Sequence, residues 1–271
     1  GTYSLNASST VLNVLTQQAG TLSLGSSQLT LAGSGTPLNQ VGGTLSALSA
    51  TTTYSGSAAT NIAATSYGKL EIAGAGTKTL TASTTATGDL MITSDSILDN
   101  NGSTMNIGGN LTNGGTLSAT GATVNFNGGG SQFINGVTSF GNVTINNTVG
   151  NVTSTGATTL AGNLVVGSGS RYGISSGAFT VGGTTSMAGV LTTYGSAIFT
   201  GAVSTTGAYN QGSTVNFAST FEKSLAAPFN SSATATFSGS AAQRLPVGVT
   251  LGGLIVNKSA ETLTLGGDAT S

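Results

Sequence analysis

The six residues Gly121-Ala122-Thr123-Val124-Asn125-Phe126 decide the fold class, because they recur almost unchanged as Gly212-Ser213-Thr214-Val215-Asn216-Phe217. In each copy apolar residues alternate with small polar ones, which is the pattern of a short strand with one buried face. The first copy runs into Asn127-Gly128, two residues that tolerate the positive φ of a tight turn. Further segments of this kind are Thr21–Leu24, Leu70–Ile72, Thr79–Thr81, Val143–Ile145 and Thr262–Leu265.

A longer unit appears three times and predicts how these strands are arranged. It begins with an aromatic residue, a small residue and glycine, and 13 or 14 residues later it reaches a bulky residue, glycine and a short strand. The copies begin at Tyr54, Phe126 and Phe237. Phe217 and Phe237 are 20 residues apart, which predicts one turn of a coil of stacked strands.

We therefore expect an all-β protein, a right-handed parallel β-helix (β-solenoid) with about 20 residues per turn. Residues 1–20 are interpreted as an N-terminal cap or joining strand. Residues 21–271 are interpreted as a continuous solenoid with a loop inserted near 218–232, where Glu222 and Lys223 are the only adjacent opposite charges.

Composition excludes several classes of function. The 271 residues include 43 Gly, no Cys and no His, only 5% are charged, and the net charge is −1. Zinc fingers, haem ligation and Ser–His nucleophiles are excluded, and nucleic-acid binding is not expected, because a row of phosphates needs many cations. No apolar run approaches the ~20 residues of a membrane helix. A disordered linker is not expected either, because 37% of the residues are hydrophobic.

The Leu-Thr-Asn-Gly-Gly-Thr-Leu-Ser-Ala run at 111–119 resembles the turns of filamentous-haemagglutinin-like and autotransporter-passenger β-helices. The stretches at 122–128 and 140–145 are similar to those of β-strand-repeat bacterial surface proteins. This resemblance covers nearly the whole chain and implies a secreted adhesin, stalk or fibre. It carries no catalytic signature.

Two short motifs are weak candidates for chemistry. Gly173-Ile174-Ser175-Ser176-Gly177 matches the Gly-x-Ser-x-Gly nucleophile elbow, but the chain has no His to serve as base. Residues 74–79, Gly-Ala-Gly-Thr-Lys-Thr, look faintly like a phosphate-binding loop but lack its spacing, so a turn is the better interpretation.

Three aspartates lie within eleven residues, at Asp89, Asp95 and Asp99. We interpret them as exposed turn residues; a structural Ca²⁺ site and pectate-lyase-like chemistry with a basic partner are the alternatives. The basic candidates stand singly at Lys69, Lys78, Arg171 and Arg244. We accordingly predict no catalytic residue, no cofactor-binding residue and no metal ligand.

Asparagines at turns are candidates for side-chain ladders between stacked turns, with simple tolerance of left-handed backbone as the equal alternative. The positions are Asn100, Asn101, Asn113, Asn127, Asn146 and Asn147.

A solenoid end presents unpaired backbone and core residues, so we expect the next turn to come from the same polypeptide or from another copy. The predicted function is that of a non-catalytic, extracellular or cell-surface β-helical rod that forms a fibre, stalk or adhesin shaft. Host or surface glycans are the other expected partners, with no nucleic acid and no membrane insertion. The alternative is a polysaccharide-binding or polysaccharide-cleaving, pectate-lyase-like β-helix.

Overall fold

The computed structural model describes residues 1–119, 121–136, 138–223, 229–245 and 249–266, and within them every named element is a β-strand. The strands pair in parallel and wind into about 12 turns of about 20 residues each. The predicted all-β parallel solenoid and its repeat length are therefore confirmed. The chain divides into two compact units, Gly1–Gly128 with Gln132–Thr138, and Gly129–Ser131 with Ser139–Ser271.

The first unit is built from strands of two to four residues. They are β1 (Thr2–Ser4), β2 (Ser9–Val11), β3 (Leu15–Gln17), β4 (Thr21–Ser23), β5 (Leu29–Leu31), β6 (Leu38–Gln40), β7 (Thr44–Ser46), β8 (Thr51–Tyr54), β9 (Thr60–Ile62), β10 (Ser66–Tyr67), β11 (Lys69–Ile72), β12 (Thr77–Leu80), β13 (Thr84–Ala86), β14 (Leu90–Ile92), β15 (Ile97–Asp99), β16 (Thr104–Ile107), β17 (Leu111–Asn113), β18 (Thr116–Ser118), β19 (Thr123–Phe126) and β20 (Gln132–Asn135).

The second unit has the same short strands and, near its end, two long ones. β21 (Thr138–Phe140) starts at the last residue of the first unit. The others are β22 (Asn142–Ile145), β23 (Asn151–Ser154), β24 (Thr158–Leu160), β25 (Leu164–Val166), β26 (Arg171–Ile174), β27 (Phe179–Val181), β28 (Thr185–Met187), β29 (Val190–Thr193), β30 (Ala197–Phe199), β31 (Val203–Thr205), β32 (Ala208–Gln211), β33 (Val215–Phe217), β34 (Phe221–Lys223), β35 (Phe229–Gly239), β36 (Gln243–Leu245), β37 (Val249–Lys258) and β38 (Leu263–Leu265).

A strand commonly pairs with the third strand after it, so three strands make one turn. In the first unit β11 pairs with β14, and β14 pairs with β17, with Leu70, Leu90 and Leu111 in one column. The backbones of stacked strands lie about 4.8 Å apart, so each side chain touches its equivalent one turn away. Alternate residues of each strand point inwards and form the buried core.

The core of the second unit contains a lengthwise stack of aromatic rings. Phe199, Phe217 and Phe237 occupy one column of paired residues, at centroid distances of 5.4 and 5.3 Å. The pairing of Phe217 with Phe237 confirms that these residues are one turn apart. All three rings are fully buried.

The two ends of the predicted solenoid contain regular strands as far as the structure describes them. Residues 1–20 supply β1, β2 and β3, which pair in parallel with β4, β5 and β6 as one turn does with the next. In the segment where we expected an inserted loop, β34 pairs with β31 and β35 pairs with β32 and β33. Residues 224–228 of that loop lie outside the described residues.

Candidate functional site

The outer face of β23, β26 and β29 in the second unit carries a shallow depression. Tyr172 and Ile174 of β26 are buried, so their neighbours Arg171 and Gly173 point outwards. Gly173 lies between Thr153 and Thr192 of the adjacent strands, and Arg171 lies between Asn151 and Val190. The glycine leaves a gap in the sheet surface, with a volume of about 210 Å³. Ser175 and Tyr194, which follow β26 and β29, complete its rim.

The side chains around this depression are available for binding. Arg171 is exposed and makes no ion pair or side-chain hydrogen bond within the described residues. Tyr194 is 65% exposed. Arg171 and Tyr194 lie at opposite ends of the depression, because Tyr194 follows Val190, the register partner of Arg171, by four residues. A guanidinium at one end and a phenol ring at the other can bind an anion and an apolar ring face of one extended ligand.

The nucleophile-elbow motif lies in this region but is used for structure. Ser175 Oγ donates to the carbonyl of Ser154 at 2.9 Å, and Ser176 Oγ donates to the carbonyl of Thr155 at 2.8 Å. Each hydroxyl therefore fastens one turn to the preceding one. Gly173 opens the depression, so the motif contributes shape and hydrogen bonds between turns.

Residues 74–79, the segment that looks faintly like a phosphate-binding loop, form a turn around the side-chain ammonium group of Lys78. Lys78 is fully buried at an inward position between Thr60 and Leu98. Its Nζ donates to the carbonyls of Gly74 at 2.7 Å, Ala75 at 2.6 Å and Gly76 at 3.2 Å. The three ammonium donors thus meet three carbonyl acceptors. Burial lowers the pKa of Lys78, because the charged form loses water. A loop whose carbonyls converge on a cation is unsuited to a phosphate.

The three aspartates have separate structural roles. Asp89 pairs with Lys69 at 3.4 Å, Asp99 Oδ1 accepts the N–H of Asn101 at 2.9 Å, and Asp95 adopts a positive φ of 62° in a turn. Within the described residues no group of three acidic side chains could hold a metal ion. The interpretation as exposed turn residues fits Asp95, whereas Asp89 is half-buried and Asp99 is the half-buried last residue of β15.

A ladder between turns does exist, at other residues than those we predicted. Asp89 Oδ1 accepts the N–H of Asn110 at 2.8 Å, and Asn110 Oδ1 accepts the N–H of Phe133 at 2.8 Å. In the second unit Asn142 Oδ1 accepts the N–H of Asn163 at 2.9 Å, and Asn163 Oδ1 accepts the N–H of Thr184 at 2.8 Å. We call this arrangement the corner ladder. A glycine precedes every one of its acceptor residues.

The asparagines that we predicted as ladder residues do not share one structural role. Asn101 adopts a positive φ of 48°, which is the alternative that we left open. Asn147 binds backbone, donating to the carbonyl of Gly130 at 2.6 Å and accepting the N–H of Gly150 at 2.8 Å. Side-chain bonding between asparagines is found instead on strands, where Asn125 Nδ2 donates to Asn106 Oδ1 at 2.9 Å.

The sequence could have indicated part of the site. Strict alternation across β26 assigns Tyr172 and Ile174 to the core, and this places Arg171 and Gly173 outside. Tyr194 follows the end of β29, where alternation no longer specifies a direction, so its position on the rim had no sequence signal.

Fold and surface together define the class of this protein as a parallel β-solenoid of the β-helix repeat type. No protein-family model, no curated protein and no solved structure matches the chain. The described residues contain no helix that could span a membrane.

Proposed function

We propose that this chain is a shaft segment of an extracellular fibre, stalk or adhesin of a cell surface, with a mechanical and non-catalytic role. Its turns continue either into further turns of a longer polypeptide or into another copy. The resemblance of residues 111–119, 122–128 and 140–145 to β-strand-repeat bacterial surface proteins supports this role. The observation that carries the proposal is the stacking of short parallel strands, turn upon turn, within each unit.

The long strand β37 leaves core positions uncovered. Leu254 pairs with Ala235 and Val256 pairs with Phe237, and both partners are fully buried. Leu254 and Val256 therefore occupy the inward columns, yet they are 42% and 53% exposed. Within the described residues β37 pairs with β35. A strand stacked on β37 would cover Leu254 and Val256 as β37 covers Ala235 and Phe237.

The first turn of the first unit is open in the same way. Val11 of β2 pairs with the buried Leu31, and Leu15 of β3 pairs with the buried Leu38, but Val11 and Leu15 are themselves only half-buried. A strand laid on this turn would bury these columns as every later turn does.

The interior of each unit suits a load along the solenoid axis. Stacked turns are joined by parallel ladders, by the corner ladder and, in the second unit, by the rings of Phe199, Phe217 and Phe237. Each turn contacts only its neighbours, so turns can be added without changing the rest. These features support a shaft.

The experiment compares a variant of the open turn with a lateral control. In the full chain, Leu254→Lys combined with Val256→Lys places two charges on the uncovered columns. Ile198→Lys is the control, because Ile198 is 40% exposed but points outwards from the middle of a sheet. Covering Leu254 and Val256 is worth about 2–3 kcal/mol in total, so their loss weakens association by about 30- to 150-fold.

Light scattering across a range of concentrations and electron microscopy provide the readout. We expect the wild type and Ile198→Lys to form linear assemblies at high concentration, while the double variant stays monomeric with an unchanged β circular-dichroism spectrum. Monomers at every concentration in the wild type, or equal loss of assembly in both variants, would contradict end-to-end contact.

A further inference from the structure

We propose that the depression over Gly173 is a binding site for an acidic saccharide, a sugar chain bearing uronate carboxylates. Arg171 binds the carboxylate of one sugar residue, and Tyr194, at the other end of the depression, packs against the ring face of another residue of the same chain. This lateral site goes beyond the mechanical role, since it lies on the side of the solenoid and leaves the open turns untouched.

The charge distribution singles out Arg171. It is the only charged residue from Asn100 to Phe221, a stretch of 122 positions. A protein that needed charge only for solubility would not confine it to one side chain at the rim of a depression. Within the described residues no acidic group pairs with this guanidinium. Its planar fork is shaped for two parallel hydrogen bonds to a carboxylate.

The shape of the site depends on the absence of a side chain at Gly173. A Cβ built there would meet nothing closer than Thr153 Oγ1 at 3.8 Å, so the position is open and the glycine is not required by packing or by a positive φ. The volume of about 210 Å³ is below the about 300–1,000 Å³ of drug-sized pockets. It suits one ring of a longer chain, whose neighbours extend across the open sheet face.

The lining matches the two kinds of surface that a sugar presents. The amide of Asn151 and the hydroxyls of Thr153 and Thr192 make no side-chain hydrogen bond within the described residues, so they are available to ring hydroxyls. The exposed ring of Tyr194 provides an apolar face for ring C–H groups. Apart from tyrosines, Arg171 is the only ionisable residue in the lining, which fits binding without cleavage.

The test uses the full chain and a defined probe, an oligogalacturonate, with the methyl-esterified oligomer as the uncharged comparison. Arg171→Gln removes the charge, and Gly173→Val fills the depression while leaving Arg171 and Tyr194 in place. Arg244→Gln is the matched control, because it removes one exposed arginine from another part of the second unit. Binding is measured by isothermal titration calorimetry and by chemical-shift changes around β26.

We expect the wild type and Arg244→Gln to bind the acidic oligomer equally, and Arg171→Gln and Gly173→Val each to lose at least about tenfold in affinity. The esterified oligomer should bind at least about tenfold more weakly than the acidic one. No binding by the wild type, equal losses in Arg171→Gln and Arg244→Gln, or unchanged affinity in Gly173→Val would overturn the proposal. Equal binding of free acetate would also overturn it, since it would reduce the site to an anion contact. If the wild type assembles but does not bind the oligogalacturonate, the proposal of a saccharide site is wrong and the proposal of a shaft segment is unaffected.

Discussion

Substitution of Gly109 by alanine tests whether the corner ladder needs its glycines. Gly109 lies directly above Gly88, to whose carbonyl its N–H donates at 2.8 Å. A Cβ on Gly109 would lie 2.5 Å from the carbonyl carbon of Gly88, 2.5 Å from Asp89 Oδ1 and 2.6 Å from Asp89 N. Carbon atoms in contact normally lie about 3.5–4.0 Å apart, so the two turns must separate by about 1 Å.

The cost follows from this displacement. Overpacking here costs about 1–3 kcal/mol, because two of the three atoms, Gly88 C and Asp89 N, belong to the backbone and cannot rotate away. The separation also weakens two hydrogen bonds, Gly109 N–H to the Gly88 carbonyl and Asn110 N–H to Asp89 Oδ1, each worth about 1 kcal/mol. Alanine also reduces the conformational freedom of the unfolded chain, which raises the free energy of unfolding by about 0.4–1 kcal/mol. The net loss of local stability is about 2–4 kcal/mol.

A repeat array need not unfold in a single transition, so the loss of stability has to be measured locally. Hydrogen exchange of the amides in β17 and at Asn110 provides this local measurement. We expect exchange to accelerate by about 30- to 700-fold in Gly109→Ala. Gly88→Ala should cost about 1 kcal/mol or less, because its Cβ would lie 3.0 Å from the Gly68 carbonyl oxygen and 3.2 Å from the movable Lys69 Cγ. Gly129→Ala meets nothing within 4 Å and should change stability by less than about 0.5 kcal/mol. Equal protection in Gly109→Ala and Gly129→Ala would refute the reasoning.

Two other variants probe the interior. Phe217→Ala removes the middle ring between Phe199 and Phe237 and should lower the free energy of unfolding by about 3–5 kcal/mol. The loss would be measured as a lower midpoint of urea unfolding. A loss below about 1 kcal/mol would mean that the ring stack is not tightly packed. Burial lowers the pKa of Lys78 in the folded chain below its value of 10.5 in the unfolded chain. At a pH between these two pKa values the unfolded chain binds more protons than the folded chain, so the free energy of unfolding rises with pH. The unfolding free energy of the wild type minus that of Lys78→Met should therefore increase as pH rises towards 10.5, and a flat or falling difference would show that the ammonium is not penalised.

Burial raises the pKa of Tyr54 to about 12. This shift is the reason to compare the unfolding free energies of the wild type and Lys78→Met rather than to measure the wild type alone. An unfolded tyrosine ionises near pH 10, so buried tyrosines make the fold lose stability above that pH. The loss is common to the wild type and the Lys78 variant and cancels between them.

Alternation and repeat spacing were enough to predict the strands and their stacking. Thr123–Phe126 is a strand with the predicted bounds, and the 20-residue spacing of Phe217 and Phe237 is one turn. Both are local consequences of one buried face per strand. The corner ladder has a sequence signal, a glycine before each acceptor Asp or Asn, but the backbone N–H that each side chain binds cannot be assigned until the register of the turns is known.

Lys78 shows a different limit of sequence reasoning. Its charge assigns it to the surface, although its position in β12 is an inward one. Only the carbonyls of Gly74, Ala75 and Gly76, converging through a turn, make that position tolerable. Arg171 was named as an isolated cation, but its connection with Tyr194 depends on two strands lying side by side in neighbouring turns.

The corner ladder also ties each turn to its neighbour from both sides. In each described step the acceptor oxygen belongs to the earlier turn and the N–H donor to the later one, as in Asn142 with Asn163 and Asn163 with Thr184. The backbone bonds at the same corners run the other way, since the N–H groups of Val143 and Leu164 in the earlier turns donate to the carbonyls of Asn163 and Thr184 in the later turns at 2.9 Å. Separating two turns at a corner therefore breaks a bond donated from each side.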